Sequence, residues 1–308
     1  MKVKLLKKWV RSHTFFDNSF KINTIAFLEK RNFFVTGSQD SNIKLWDITS
    51  HRQVSVLRGH KSSVNKIIID RKSGNMISGG EDMNIFSWNV EYQKISRSFR
   101  GHISSISCLN IHPILNLLVS GSRDNTVRIW DLRMKKEALI IKHHKNEICS
   151  VLFNHESPHL ISSSKDSRVC LWDIIAFRCI NCLVLGSEKV RAIKPHPIEL
   201  KFGSLCSNTL NLWRLDGFRV KKYKTFEKVN LFCFKNLSEY VTVDYLGWIR
   251  FHKWKYSENL FDFDYKLFPF TKKLSLPTKI KFNFDYTKFI ISNTNGELGI
   301  FRNKWSVQ

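Results

Sequence analysis

Between Thr126 and Trp130, apolar Val127 and Ile129 alternate with polar Thr126 and Arg128, and the run ends at the tryptophan. Alternation with a period of two is the mark of a half-buried β-strand, because successive side chains leave a strand on opposite faces. The same strand recurs along the chain. Trp46, Trp88, Trp130 and Trp172 stand 42 residues apart, and Trp213 follows 41 residues after the last of them. A period of this length, filled by about four short strands rather than by helical 3.6-residue spacing, predicts an all-β propeller of four-stranded blades.

Seven blades are predicted, at about residues 20–57, 62–99, 104–141, 147–183, 189–223, 229–267 and 279–301, within a single domain over 1–308. The turns GSQD, GGED, GSRD and SSKD precede the tryptophan strands of the first four, and in the worn fifth blade CSN takes their place. In blade six Trp254 has the right spacing, but Ile249 and Phe251 repeat the Val127/Ile129 alternation. Strand parity therefore puts His252 at the tryptophan position. Phe301 holds that position in blade seven, and little chain follows it. Residues 3–11 have strand character and no blade of their own. They are expected to supply the missing strand of blade seven and close the ring, which removes an exposed sheet edge.

A set of polar residues recurs with the tryptophans. Blade three has His102, Ser120, Asp124 and Trp130, blade two His60, Ser78, Asp82 and Trp88, and blade four His144, Ser162, Asp166 and Trp172. Blade one keeps Thr36, Asp40 and Trp46, with His13 further away. Ser, His and Asp together are the members of a nucleophilic triad. A catalytic site is needed once, however, and recurrence at one offset in three blades points to an internal hydrogen-bond brace instead. Asp is expected to accept from His and the turn backbone, His to reach Ser, and Ser to meet the indole N–H.

Composition narrows the chemistry. No apolar run approaches the ~20 residues of a membrane-spanning helix, and the basic N-terminus MKVKLLKKWVRSH lacks the apolar stretch of a signal peptide. Seven scattered cysteines fit a reducing compartment. Cys179 and Cys182 form a CxxC without a second pair or a His cluster in sequence, and read as two cysteines on an outer strand. No phosphate-cradling glycine loop, metal-ligand cluster or unrepeated nucleophile–base pair is found, so no catalytic residue, metal, cofactor or small-molecule substrate is expected. The net charge of +24 has two readings. One is a basic surface for RNA or an acidic partner; the other is drift in an A+T-rich genome, since Lys outnumbers Arg by 33 to 17. Trp9, Trp248, Trp254 and Trp305 lie outside the repeat positions and are the candidates for stacking on unpaired bases.

The order GH, S-x-x-x-D, WD is that of WD40 repeats, and the resemblance covers the whole chain. The segments WNVEYQKISRSFRGH, LNIHP with Pro113, and WDLR resemble the pleiotropic regulator family of spliceosomal WD40 proteins. EKVRAIKPHP and TLNLWRLDG are similar to that family's worn fifth blade, and HKWKYSENLF follows its sixth, with His252 and Lys253 replacing the first two residues of a Trp-Asp-Trp. The resemblance implies a scaffold in the Nineteen complex, close to catalytic RNA, with the Myb-like splicing factor and the SKI-interacting protein among its partners. It also implies a nuclear location; the A+T-rich composition suggests a compacted, relict endosymbiont nucleus. The family's long N-terminal extension is not present in this sequence, and its contacts are expected to be lost or supplied otherwise. WDLR also matches the WD-x-Arg box of cullin-RING ligase receptors, in which Arg133 would contact the ligase adaptor.

Overall fold

A computed structural model describes residues 9–303, apart from 17–19, 29–31, 135–136, 155–158, 186–189, 196–200, 207–208, 215–218, 225–228, 235–238, 254–262, 268–275 and 284. Its strands form seven four-stranded antiparallel sheets, the blades of a propeller. The first strand, β1 (Trp9–Phe16), belongs to the last blade. Blade one holds β2 (Ile22–Leu28), β3 (Phe33–Ser38), β4 (Ile43–Asp47) and β5 (Arg52–Leu57); blade two holds β6 (Val64–Ile69), β7 (Met76–Gly80), β8 (Ile85–Asn89) and β9 (Lys94–Phe99). Blade three is β10 (Ile106–Ile111), β11 (Leu117–Ser122), β12 (Val127–Asp131) and β13 (Glu137–Ile141). Blade four is β14 (Ile148–Phe153), β15 (His159–Ser164), β16 (Arg168–Asp173) and β17 (Arg178–Val184). Blade five follows with β18 (Ala192–Pro195), β19 (Lys201–Leu205), β20 (Thr209–Arg214) and β21 (Arg219–Lys224), and blade six with β22 (Val229–Phe234), β23 (Glu239–Asp244), β24 (Ile249–Lys253) and β25 (Phe263–Leu267). Blade seven has β26 (Pro277–Phe282), β27 (Lys288–Asn293) and β28 (Glu297–Asn303), with β1 on its outer edge.

The innermost strands touch in the order β2, β6, β10, β14, β18, β22, β26 and back to β2, so the ring is closed around a central bore. The core is not inside any blade but between blades. Val35 and Leu45 of blade one pack on Ile67 and Trp88 of blade two, and Phe99 of blade two packs with Trp130 of blade three. Each blade is apolar on both faces and cannot be covered without its neighbours, which is the general condition of repeat folds.

The N-terminal strand differs from expectation in extent. Residues 3–8 lie outside the described residues, and the strand runs on past Arg11 to Phe16, pairing from Trp9↔Asn303 to Phe16↔Glu297. The pairing contains a bulge between Arg11 and His13, as the outer strand pairs of the other blades also do. A bulge flips the alternation of side chains along a strand. It thereby turns Trp9 towards blade six, against Phe251, and Phe15 towards blade one, against Phe34 and Trp46. Arg11 adds an ion pair to Glu297 at 2.7 Å. One strand thus covers both faces at the seam.

Trp9 is 1% exposed, within ring-contact distance of Phe251, Phe282 and Phe289. Trp9→Ala should therefore cost about 3–5 kcal/mol in a denaturant titration, as large aromatic truncations in cores do. Deletion of residues 1–16 should cost more and broaden the transition; an unchanged melting curve for the deletion would contradict a load on this seam.

Candidate functional site

The recurring polar residues meet as chains of three hydrogen bonds. In blade two, Trp88 Nε1 donates to Ser78 Oγ at 2.8 Å, Ser78 Oγ lies 2.7 Å from His60 Nε2, and His60 Nδ1 lies 2.9 Å from Asp82. The corresponding distances are 2.8, 2.7 and 2.7 Å through Trp130, Ser120, His102 and Asp124, and 2.8, 2.8 and 3.0 Å through Trp172, Ser162, His144 and Asp166. A neutral imidazole with its proton on Nδ1 satisfies every bond in one direction: indole to serine, serine to Nε2, Nδ1–H to carboxylate. For His144 burial favours that neutral form and pushes its pKa down.

Burial works against the Asp82 charge, but the His60 ring N–H and the Lys61 and Asn84 amides outweigh it and hold the pKa below the ordinary value. The turns are built for this. The residue after each aspartate, Ser41, Met83, Asn125 or Ser167, has positive φ, which aims the next amide back at the carboxylate. Ser78, Ser120 and Ser162 are fully buried beneath their tryptophans. Their hydroxyls are closed to solvent and are held between indole and imidazole.

The other blades keep parts of the brace. Trp46 Nε1 donates to Thr36 Oγ1 at 2.9 Å, and Asp40 caps the Asn42 amide and pairs with Lys44 at 3.6 Å. His13 is not in this set: it lies on β1, stacked on His51. His252 stands opposite Tyr240 at the tryptophan's register position, and its Nε2 lies 2.7 Å from Thr242 Oγ1. Burial pushes the His252 pKa down to about 4, so the ring is neutral at physiological pH. In blade five Trp213 donates to Ser204 at 2.8 Å, a bond the shortened turn hid in sequence. Phe301, opposite Phe289, replaces the polar link with ring stacking.

The turn after β12 leaves Arg133 at the surface. Its guanidinium is bound in a fork to Asp131, with Nε at 3.1 Å and Nη2 at 2.8 Å. An adaptor would have to take this side chain from its own carboxylate. Of the non-repeat tryptophans, Trp9 is core, Trp248 is 39% exposed, and Trp254 and Trp305 lie outside the described residues.

The bore carries the feature that sequence reading missed. Lys66 on β6, Lys194 on β18, and Lys279 and Lys281 on β26 come from blades two, five and seven, yet the charges of the other three act on Lys66. They can do so only across the ring. Burial, followed by Lys194, Lys279 and Lys281, puts the Lys66 pKa well below its ordinary value. Burial, then Lys194 and Lys21, brings Lys279 down to about 8. Lys279 is nonetheless exposed to solvent. Lys66, Lys194 and Lys279 form no ion pair among the described residues. Ammonium groups gathered without a carboxylate favour an anion between them, whether phosphate or carboxylate.

Two outcomes follow. Asp124→Ala leaves His102 and three backbone or hydroxyl donors around an empty position, and should destabilise the chain by about 1–3 kcal/mol in equilibrium unfolding. Lys279 should make stability rise with pH between about 8 and 10.5. In that window the unfolded lysine holds a proton that the folded one has released. Lys279→Gln should be more stable than the native chain at pH 7 and low salt, and the gap should close towards pH 10.5. A constant gap across that range would show that the fold does not lower the Lys279 pKa.

A model described as "WD domain, G-beta repeat" matches residues 9–47, 51–89, 93–131 and 135–173, together half of the chain. Each matched segment begins at, or one or two residues before, the outer strand of one blade and ends on the third strand of the next. The first therefore begins on β1, the strand that completes blade seven. No curated protein matches the chain. With its seven blades and repeated Trp–Ser–His–Asp braces, the chain belongs to the WD40 repeat family, whose propellers serve as protein-interaction scaffolds.

Proposed function

We propose that this propeller is a non-enzymatic platform in pre-mRNA splicing, a Nineteen-complex subunit of the pleiotropic regulator type. The observation that carries the reading is where the family-like segments lie. WNVEYQKISRSFRGH runs from the end of β8 through β9, and β9 is exposed from Lys94 to Ser98. LNIHP leads into the turn after β10, and WDLR ends β12 and opens the turn that follows it. These turns are joined: Arg97 donates to the Leu132 carbonyl, and the Leu132 amide donates to Asn116 O at 2.8 Å. Exposed Tyr92, Ile114, Leu115 and Met134 give this rim of blades two and three an apolar surface. Binding residues concentrate on exposed turns held by a rigid scaffold, and tyrosine is among the residues that anchor interfaces.

The rigid ring holds several partners at once and raises their effective concentration for one another. The basic bore and the net charge of +24 suit an assembly rich in RNA. Spliceosomal proteins, including the Myb-like splicing factor and the SKI-interacting protein, are the partners of this reading, and the nucleus is its location. Docking of a cullin-RING adaptor through Arg133 is the second reading; it has the exposure of that side chain in its favour and the Asp131 pairing against it. Affinity purification of the tagged full chain from nuclear extract should recover splicing proteins and small nuclear RNAs. Tyr92→Ala should lower that recovery several-fold with the fold intact. Recovery of neither class would sink the splicing reading.

A further inference from the structure

Blade four departs from its neighbours at three positions that meet in space. Blades two and three have Gly59 and Gly101 just before the brace histidine, and blade four has His143. A Cβ at Gly101 would lie 2.9 Å from Glu137 and 3.2 Å from the Trp130 ring, because that position points at the repeat tryptophan and at the pair Arg128–Glu137. In blade four the residues in those two places are Cys170, opposite Ser162 as Arg128 is opposite Ser120, and Cys179, opposite Trp172 as Glu137 is opposite Trp130. Two long charged side chains have become two thiols, and a glycine has become an imidazole that fills the space. The His143 ring packs edge-on against Trp172 at 5.2 Å.

A third thiol joins them. Cys179 and Cys182 are three residues apart, and on a regular strand they would point to opposite faces. A bulge opposite Leu171 and Trp172 removes that inversion: Cys182 pairs with Cys170 and Cys179 with Trp172, so all three thiols share one face. The Cys170 and Cys182 sulfurs are 2.7 Å apart. The donor atoms of His143, Cys170 and Cys179 all lie within 4.8 Å of one another.

We propose that His143, Cys170 and Cys179, with Cys182 as the fourth ligand, form a structural site for a thiophilic divalent cation of the zinc class. Three sulfurs and one imidazole nitrogen are a tetrahedral donor set for zinc, with bonds of about 2.3 Å to sulfur and about 2.0–2.1 Å to nitrogen. Tetrahedral sulfurs on such an ion stand roughly 3.8 Å apart; His143, Cys170 and Cys179 already hold their donor atoms within 4.8 Å of one another, and Cys182, whose sulfur lies 2.7 Å from that of Cys170, has to turn to complete the set. The site joins the segment leaving blade three to the two outer strands of blade four, and so clamps one blade boundary. Burial raises the pKa of the Cys170 and Cys179 thiols. Binding must therefore expel their protons, and affinity should rise with pH.

The test uses the full chain purified under reducing conditions. Elemental analysis after dialysis against zinc should find one ion per chain. Cobalt(II) in its place should give thiolate-to-metal charge-transfer absorption and the ligand-field bands of a tetrahedral site. His143→Gly, which restores the residue of blades two and three, and Cys179→Ser should each weaken binding by more than the ~10–100-fold typical of outer-shell partners. A chelator should lower the melting temperature of the native chain and leave that of Cys179→Ser unchanged, which separates loss of the site from loss of the fold. A Cys170–Cys182 disulfide persisting in reductant, zinc below stoichiometry, or equal affinity in the native and variant chains would each overturn the proposal.

Discussion

Each blade of this propeller presents an apolar face to the blade on either side, and neither face is covered until the ring has closed. Trp46 packs against Ile290 of blade seven across one boundary while Val35 packs against Ile67 of blade two across another. The hydrophobic gain is therefore collected between blades, and no blade holds a core of its own. From this constraint follows the role of β1. Without it blade seven would lack its outer strand, and the two clusters to which Trp9 and Phe15 respectively belong would be open to water. Sequence repeats that begin one strand before their blade are the solution to a geometric problem: a closed ring needs a seam, and the offset makes the seam a hydrogen-bonded sheet.

The braces act one level below. A four-stranded sheet tolerates twist and slip, whereas a hydrogen-bond chain from indole to carboxylate fixes the third strand, the second strand, the preceding loop and the turn to one another. A buried polar group is costly when unpaired, and here the bonds in the chain pair it at each step. Blades five to seven show how much of the chain can be lost. The Ser204–Trp213 and Thr242–His252 links survive, and at Phe301 aromatic stacking replaces the polar contact. The worn blades keep the part that holds strand to strand.

With the repeated polar residues occupied inside the blades, what distinguishes this propeller from another is elsewhere. The rim formed by the turns of blades two and three carries exposed apolar residues, the bore carries lysines from three blades, and the boundary of blades three and four carries thiols and an imidazole. At the thiol site the exchange falls at positions whose backbone pairing is the same in blades three and four. The scaffold is conservative in geometry, and its chemistry is set by single side chains.

Much of this was legible in the residues. The 42-residue period, the alternation before each tryptophan and the recurring His, Ser and Asp determined the blades, their order and the partners within each brace, because these depend on spacing along one repeat. Even His252 could be placed by strand parity alone. The two faces that β1 covers could not, since a bulge at Arg11 and His13 changes which face each side chain takes and leaves no mark in the alternation. For the same reason Cys179 and Cys182 read as an isolated pair until their bulge placed both beside Cys170. The lysines of the bore are 85 or more residues apart except within β26, and only the closure of seven blades brings their charges together. Periodicity reports what a residue does within its own repeat; contacts across the ring, and the faces that bulges reverse, exist only once the chain has folded.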